Sequence, residues 1–397
     1  MEYETEKKPI LSKKCPNLLP LRQIRRMKKI MPWIGVLALL IGCQSDKDGF
    51  TLEGSVSGVL TDSTNVYLQK RDSLGRFQPI DTALIVNERF EFTGKVEEVD
   101  LYTLKFDSRR GGTLAPVILE NAEISFKSPI DSLAYMTVKG TEQNEWLMEF
   151  MDQTRTMNEI GTTLRDDMRK AYYAQDSVAY AALIEESQEL VQKNLDFAKT
   201  FIGNHPKSLM SLTLMEDLVN RKSLPVNTVD SLYQILDEDL KRRPIGEKIK
   251  AYLDKEKPTS VGAIAPDFIG PDPEGNELIL SEVRGKVTLV DFWAAWCKPC
   301  RMENPNVKRV YEKYKDKGFT VVGVSLDKSA EDWAEAIAQD GLEWNHVSNL
   351  MVWQDPIAKM YNVSSIPKAF LLNEEGKIIG RDLRGAALEQ AVAAILD

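Results

Sequence analysis

The chain has 397 residues, 43% of them hydrophobic and 28% charged, with 51 Lys and Arg against 60 Asp and Glu. That length holds two or three domains, each able to bury a core, and the composition excludes a largely disordered chain. Residues 1–42 carry nine of the basic and three of the acidic residues, so the remainder has a net charge near −15; such a surface is a poor partner for nucleic acid, whose binding rests on neutralising phosphates.

The chain begins with an address rather than a fold. Arg25-Arg26-Met27-Lys28-Lys29 precedes an apolar stretch over 30–42 and then Cys43. The stretch is short of the ~20 residues a spanning helix needs, and a basic segment, a short apolar core and a small residue before the boundary read as an export signal. A buried apolar helix and an uncleaved anchor are the alternatives. Leu40-Ile41-Gly42-Cys43 resembles the bacterial lipobox, which implies cleavage before Cys43 and lipidation of its sulfur. Met27 makes a tidier start than Met1, and Cys15 would then be absent from the mature chain. Residues 1–43 are thus expected to be signal and lipobox, with a polar tether over 44–49.

Residues 44–139 predict a strand-rich domain. Alternation of apolar and polar positions recurs at Phe50, Val66, Arg89-Phe90-Glu91-Phe92, Tyr102, Val117 and Ile124, with turn residues between. A small antiparallel sandwich is the natural packing. The stretch resembles a β-domain of unknown function that precedes redox modules in bacterial lipoproteins, and a spacer or partner-binding role is expected of it. Arg109-Arg110 reads as a solvated loop tip.

Residues 140–257 predict helices. Thr141 is a candidate cap for a helix whose stripe is Trp146, Phe150, Met157, Leu164 and Met168. A second helix is expected over 177–201, ending before His205-Pro206, and two or three shorter ones follow, broken at Pro225 and Pro244. The stripes read as core rather than as a cofactor box, and no cofactor is expected. His205 reads as a capping or surface residue. The polar run over 255–262 marks the boundary to the last domain, 258–397.

In that domain an apolar, β-favouring run over 287–293 delivers Cys297 and Cys300 to the start of a helix. Cys297 then sits at a helix N-terminus, where unpaired N–H groups and the dipole favour a thiolate, the species that attacks disulfides. The pair could instead be half a zinc site or an inert disulfide. Zinc wants four ligands, and the chain offers only Cys15, Cys43, His205 and His346 besides, so no metal is expected. The strand-then-helix context favours the reactive reading.

Val290-Asp291-Phe292-Trp293-Ala294 followed by Trp296-Cys297-Lys298-Pro299-Cys300 resembles the active-site run of thioredoxins. The flanks resemble the membrane-attached TlpA/ResA branch: Ala265-Pro266-Asp267-Phe268 and Gly285-Lys286-Val287 upstream, Arg301, Glu303 and Pro305 after the pair, then Ile366-Pro367 and the turn Glu375-Gly376-Lys377. The resemblance covers about residues 259–397 and implies an α/β thioredoxin fold. Strands are expected over 287–293, 319–326, 369–373 and 378–381, and helices over 299–317, 331–341 and 386–396.

The resemblance also implies roles. Cys297 would be the nucleophile and Cys300 the resolving thiol. Asp291, where much of the TlpA/ResA branch has asparagine, would exchange a proton with Cys300, unless it is only a strand-end aspartate bonded to backbone. Glu303 would tune the cysteines, or merely favour the helix dipole. Lys298 would promote the thiolate, Pro299 stiffen the first turn, and Trp296 wall the substrate site. Pro367 would be cis, presenting Ile366 backbone groups for β-style pairing with a client. His346 reads as structural. One departure is the strand 320–327, which carries glycine where thioredoxins carry a lysine near the buried aspartate.

The expectation is therefore a multidomain protein: an antiparallel β-sandwich-like domain, a helical middle region and a C-terminal thioredoxin fold. Its function would be that of a periplasm-facing lipoprotein of the cell envelope, tethered through Cys43, that reduces disulfides in client proteins, apocytochromes among the family's possibilities. An upstream membrane electron donor would recharge it. A thiol peroxidase and a non-enzymatic partner-binding lipoprotein are the alternatives; the peroxidase lacks support, since 290–296 has neither the proline nor the hydroxyl residue of that pattern.

Overall fold

A computed structural model describes residues 48–58, 64–72, 75–107, 113–130 and 132–397. The expectations placed on Cys15, on the export signal and Cys43, and on Arg109-Arg110 lie outside those residues. No helix among the described residues is long and apolar enough to cross a membrane.

Eight strands come first: β1 (Phe50–Ser57), β2 (Asn65–Arg71), β3 (Phe77–Leu84), β4 (Arg89–Gly94), β5 (Asp100–Phe106), β6 (Thr113–Leu119), β7 (Glu123–Pro129) and β8 (Thr137–Lys139). They form two four-stranded sheets, ordered β4-β1-β7-β8 and β3-β2-β5-β6. Alternation along β1, β4 and β7 turns one set of side chains inward. Phe90, Phe92, Phe106 and Phe126 meet there at centroid separations of 5.8–6.0 Å. All pairings are antiparallel except β1 with β7. These two are separated by five intervening strands, so no hairpin constrains their direction.

Six helices follow: α1 (Glu142–Tyr173), α2 (Ser177–Asn204), α3 (Leu209–Asn220), α4 (Val226–Ile235), α5 (Glu238–Lys241) and α6 (Pro244–Glu256). Thr141 caps α1 by accepting the Asn144 N–H. Four helices rather than two or three follow α2: the breaks fall at Pro225, the N-cap of α4, and at Pro244 in the first turn of α6, and the short α5, capped by Asp237, is the addition. Asn144, fully buried, joins this region to the sheets. Its side chain accepts the Ile118 N–H at 3.0 Å and donates to the Ile118 carbonyl at 2.8 Å. His205 is the C-cap residue of α2, and its ring packs on Phe201 at 4.7 Å.

The C-terminal region adds β9 (Ile269–Pro271), β10 (Glu277–Ile279), α7 (Leu280–Val283), β11 (Val287–Trp293), α8 (Lys298–Tyr314), β12 (Phe319–Ser325), α9 (Ala330–Asp340), β13 (Asn345–Val347), α10 (Pro356–Met360), β14 (Lys368–Asn373), β15 (Ile378–Arg381) and α11 (Ala386–Leu396). The sheet order is β13-β12-β11-β14-β15. β11 pairs parallel with β12 and antiparallel with β14. Central β11 is buried at nearly every position, as a strand covered on both faces must be. The hairpin β9–β10, strand β13 and helix α10 had no counterpart in the sequence reading. α6 runs into this region without a polymeric spacer: Glu256 at its end accepts from Asn362 Nδ2 at 2.7 Å and pairs with Arg381.

Candidate active site

Strand β11 ends at Trp293, and a turn of four residues carries the chain into α8. Asp327, buried, fixes that turn by accepting the Ala295 N–H at 3.0 Å, and Leu326 donates its N–H to the Trp293 carbonyl at 2.9 Å. Asp327 lies two residues past the end of β12, and nothing in local spacing marked it as a support for the turn. Cys297 is the N-cap of α8 and is joined to Cys300 in a disulfide with Cα atoms 5.3 Å apart. Its sulfur also accepts the Cys300 N–H at 3.2 Å. Both cysteines are buried, Cys297 to 4% exposure. Lys298 and Pro299 occupy the first turn and are exposed.

Beneath the disulfide lies a small enclosed cavity lined by Asp291, Cys300, Glu303, Pro367 and Arg384 among others. It offers roughly 10 Å³ to the centres of water molecules, about enough for one. Asp291 and Cys300 therefore share a space, as the sequence suggested. Desolvation pushes the Asp291 carboxyl up to about 7; Arg384 opposes this and Glu303 adds to it. The residue is partly exposed, and it lines the cavity together with Cys300.

Glu303 shares the cavity and is tied down. One oxygen accepts the Gly385 N–H at 2.9 Å and Asn306 Nδ2 at 2.7 Å, which caps the start of α11. The Ile366–Pro367 bond is cis. Arg384 donates to the Pro367 carbonyl at 2.6 Å, so one side chain touches the cis-proline and acts on Asp291. Arg384 was not among the residues singled out from sequence; it precedes α11 with no motif around it.

The glycine that replaces a thioredoxin lysine is Gly323. It lies in one cross-sheet row with His346 on β13 and Asp291 on β11. A Cβ at Gly323 would come within 2.5 Å of His346 Nδ1 and 3.0 Å of Trp293 Nε1. The two rings fill the volume a lysine would need. His346 is buried against Trp293 and Trp344, and burial pushes it down to about 4, so it is neutral at pH 7. Among the described residues no group of His, Cys, Asp and Glu is placed to hold a metal. Trp296 is 53% exposed and meets Trp353 edge to face at 6.1 Å.

A central parallel strand that delivers a two-residue-spaced disulfide to a helix N-terminus, beside a cis-proline from an antiparallel strand, defines a thioredoxin-fold thiol–disulfide oxidoreductase. Comparison with known proteins narrows the class. Residues 261–381 match the AhpC/TSA family, and residues 50–147 match a domain of unknown function, DUF4369. Thiol-disulfide oxidoreductase ResA of Bacillus anthracis is 31% identical over 139 residues, 35% of this chain and 78% of that protein. ResA of Geobacillus kaustophilus is 34% identical over 130 residues, 32% of this chain and 71% of its own. The thioredoxin domain of a thiol-disulfide oxidoreductase from Bacteroides vulgatus is 39% identical, with 34% of this chain and 98% of that one covered and a TM-score of 0.33. The chain belongs to the ResA family of thiol–disulfide oxidoreductases, and its clients are protein thiols and disulfides.

Proposed function

We propose that the protein reduces disulfides in exported client proteins through Cys297 and Cys300. The reduced Cys297 thiolate attacks a client disulfide, forming a mixed disulfide and releasing one client thiolate. Cys300 then loses its proton to Asp291, directly or through one water in the shared cavity, and attacks Cys297 Sγ. The second client thiolate leaves, and the Cys297–Cys300 disulfide forms. The observation that carries this reading is the closed cavity shared by Asp291 and Cys300, with the carboxyl poised near 7. A base of that pKa both accepts and returns a proton at neutral pH.

Several finer points rest on the same reading. Helix α8 directs its N-terminal N–H groups at Cys297, and Lys298 adds a nearby cation, both of which favour the thiolate. Trp296 walls the client site, and Ile366 beside cis-Pro367 offers backbone for a client strand. Glu303 tunes Asp291. The basic and apolar segment before Cys43 supports export and lipid tethering at the inner or outer membrane, facing the periplasm, with recharging by a membrane electron donor. The test is equilibration of the Cys297/Cys300 pair with redox buffers, alongside insulin reduction. A reductant belongs towards the −270 mV end of the thioredoxin-like range, which reaches roughly −120 mV; a midpoint at the upper end would overturn the direction.

A further inference from the structure

The turn between β13 and α10 is held in a costly conformation. Leu350 has φ +54° and Val352 φ +50°, the left-handed region, which a β-branched valine rarely enters. The surroundings over-determine it. Buried Asp355 accepts four bonds, from Asn349 N–H and Nδ2 at 3.3 and 3.0 Å, and from Ile357 and Ala358 N–H at 2.8 and 3.0 Å. Ser348 Oγ accepts the Leu350 N–H at 3.2 Å and donates to the Ser325 carbonyl at 2.9 Å. Among the side chains this turn presents to solvent are two apolar ones, Met351 at 51% and Trp353 at 40% exposure, beside Gln354. Trp353 packs edge to face on Trp296, the residue immediately before Cys297. Two half-open indoles therefore meet one residue before the exchanging sulfur. Rigid, partly open tryptophans are the residues that anchor polypeptide partners.

We infer that Trp353 is a specificity-determining residue that binds an aliphatic or aromatic side chain flanking the client's cysteine. This rests on the dithiol reading of Cys297 and Cys300. Its occupant is an extended segment of client polypeptide, because the indoles meet one residue before the sulfur the client must reach. A client lacking the apolar neighbour reacts through Cys297 alone and gains nothing from Trp353.

The test uses the full reduced chain and two short peptides, each with one cysteine blocked by 2-nitro-5-thiobenzoate. One has leucine and phenylalanine beside the cysteine, the other serine. Thiolate attack releases a chromophore, and Ellman's reagent serves as a probe too small to reach Trp353. In this single turnover wild type should prefer the apolar peptide by about tenfold in second-order rate constant, the size expected of one anchoring aromatic. Trp353→Ser should abolish that preference, slowing the apolar peptide about tenfold more than the serine peptide or Ellman's reagent; Trp353→Phe should keep it. No preference in wild type, a preference that survives Trp353→Ser, or equal slowing on all three probes would overturn the inference. Failure of wild type to react with Ellman's reagent would instead sink the dithiol reading, and this inference with it.

Discussion

The Glu303 carboxylate accepts the Gly385 N–H at 2.9 Å, so the last helix is capped from α8 across 82 positions, by a residue that also raises the proton affinity of Asp291. Glu303→Gln separates the two effects, since the amide oxygen still accepts from Gly385 while the charge is lost. The Asp291 midpoint should fall, read from the pH dependence of mixed-disulfide resolution. Glu303→Ala should in addition lose roughly 0.5–2 kcal/mol of stability with the cap.

Arg384 acts on the same carboxyl with the opposite sign. Arg384→Gln should move the midpoint upward and slow resolution at pH 7, because less of Asp291 is then ionised to accept the Cys300 proton. A downward or absent shift would show that the guanidinium, bonded to the Pro367 carbonyl, is too well solvated to be felt at Asp291.

Asp291 also makes stability depend on pH. In the oxidised native protein its carboxyl keeps its proton up to about 7, against 3.8 for the ordinary carboxyl. Between those values the native state binds more protons than the unfolded one, so stability falls as pH rises. The full penalty above pH 7 is at most about 4 kcal/mol, and less where water reaches the partly exposed side chain. Asp291→Asn should match wild type near pH 4 and exceed it at pH 8 in urea unfolding. Equal stability at both pH values would mean the carboxyl is hydrated.

Cys300→Ser should hold clients as stable mixed disulfides on Cys297, whereas Cys297→Ser should trap none, as seen on non-reducing gels followed by mass spectrometry. The same Cys300→Ser protein should consume hydrogen peroxide no faster than an ordinary thiol. Rapid consumption would restore the peroxidase alternative.

Removal of Asn144 should be felt far from the redox site. Asn144→Ala leaves the Ile118 N–H and carbonyl buried without partners, each worth about 1–3 kcal/mol. Denaturant unfolding should show a loss of roughly 2–5 kcal/mol with disulfide reduction unaffected.

What could be read in the sequence was whatever is local. The β11 run, the N-cap position of Cys297 and the helix over 386–396 depend on neighbours within one or two turns, and they lie where expected. The supports of the site were not legible, because each joins distant segments: Asp327 to Ala295, Arg384 to Pro367, Trp353 to Trp296. Gly323 stood out from sequence as an anomaly, but its cause, the His346 ring in the space a side chain would take, needs a third strand to be seen. β13 has three residues and α10 five, too few for either periodicity to register. The breaks at Pro225 and Pro244 lie where expected, whereas the four-residue α5 between them is too short for its periodicity to register.

The residues just before β9 have a practical bearing on how the redox region can be isolated. Gly262 donates to the Ile378 carbonyl at 2.7 Å, Ile378 donates to Ala263 at 2.8 Å, and Ala265 donates to Gly376 at 2.9 Å. This short stretch shields the outer margin of β15. A recombinant fragment opening at residue 259 carries its own cover, whereas one trimmed to begin at 266 bares three main-chain groups along an outermost strand, a template for pairing with a neighbouring copy.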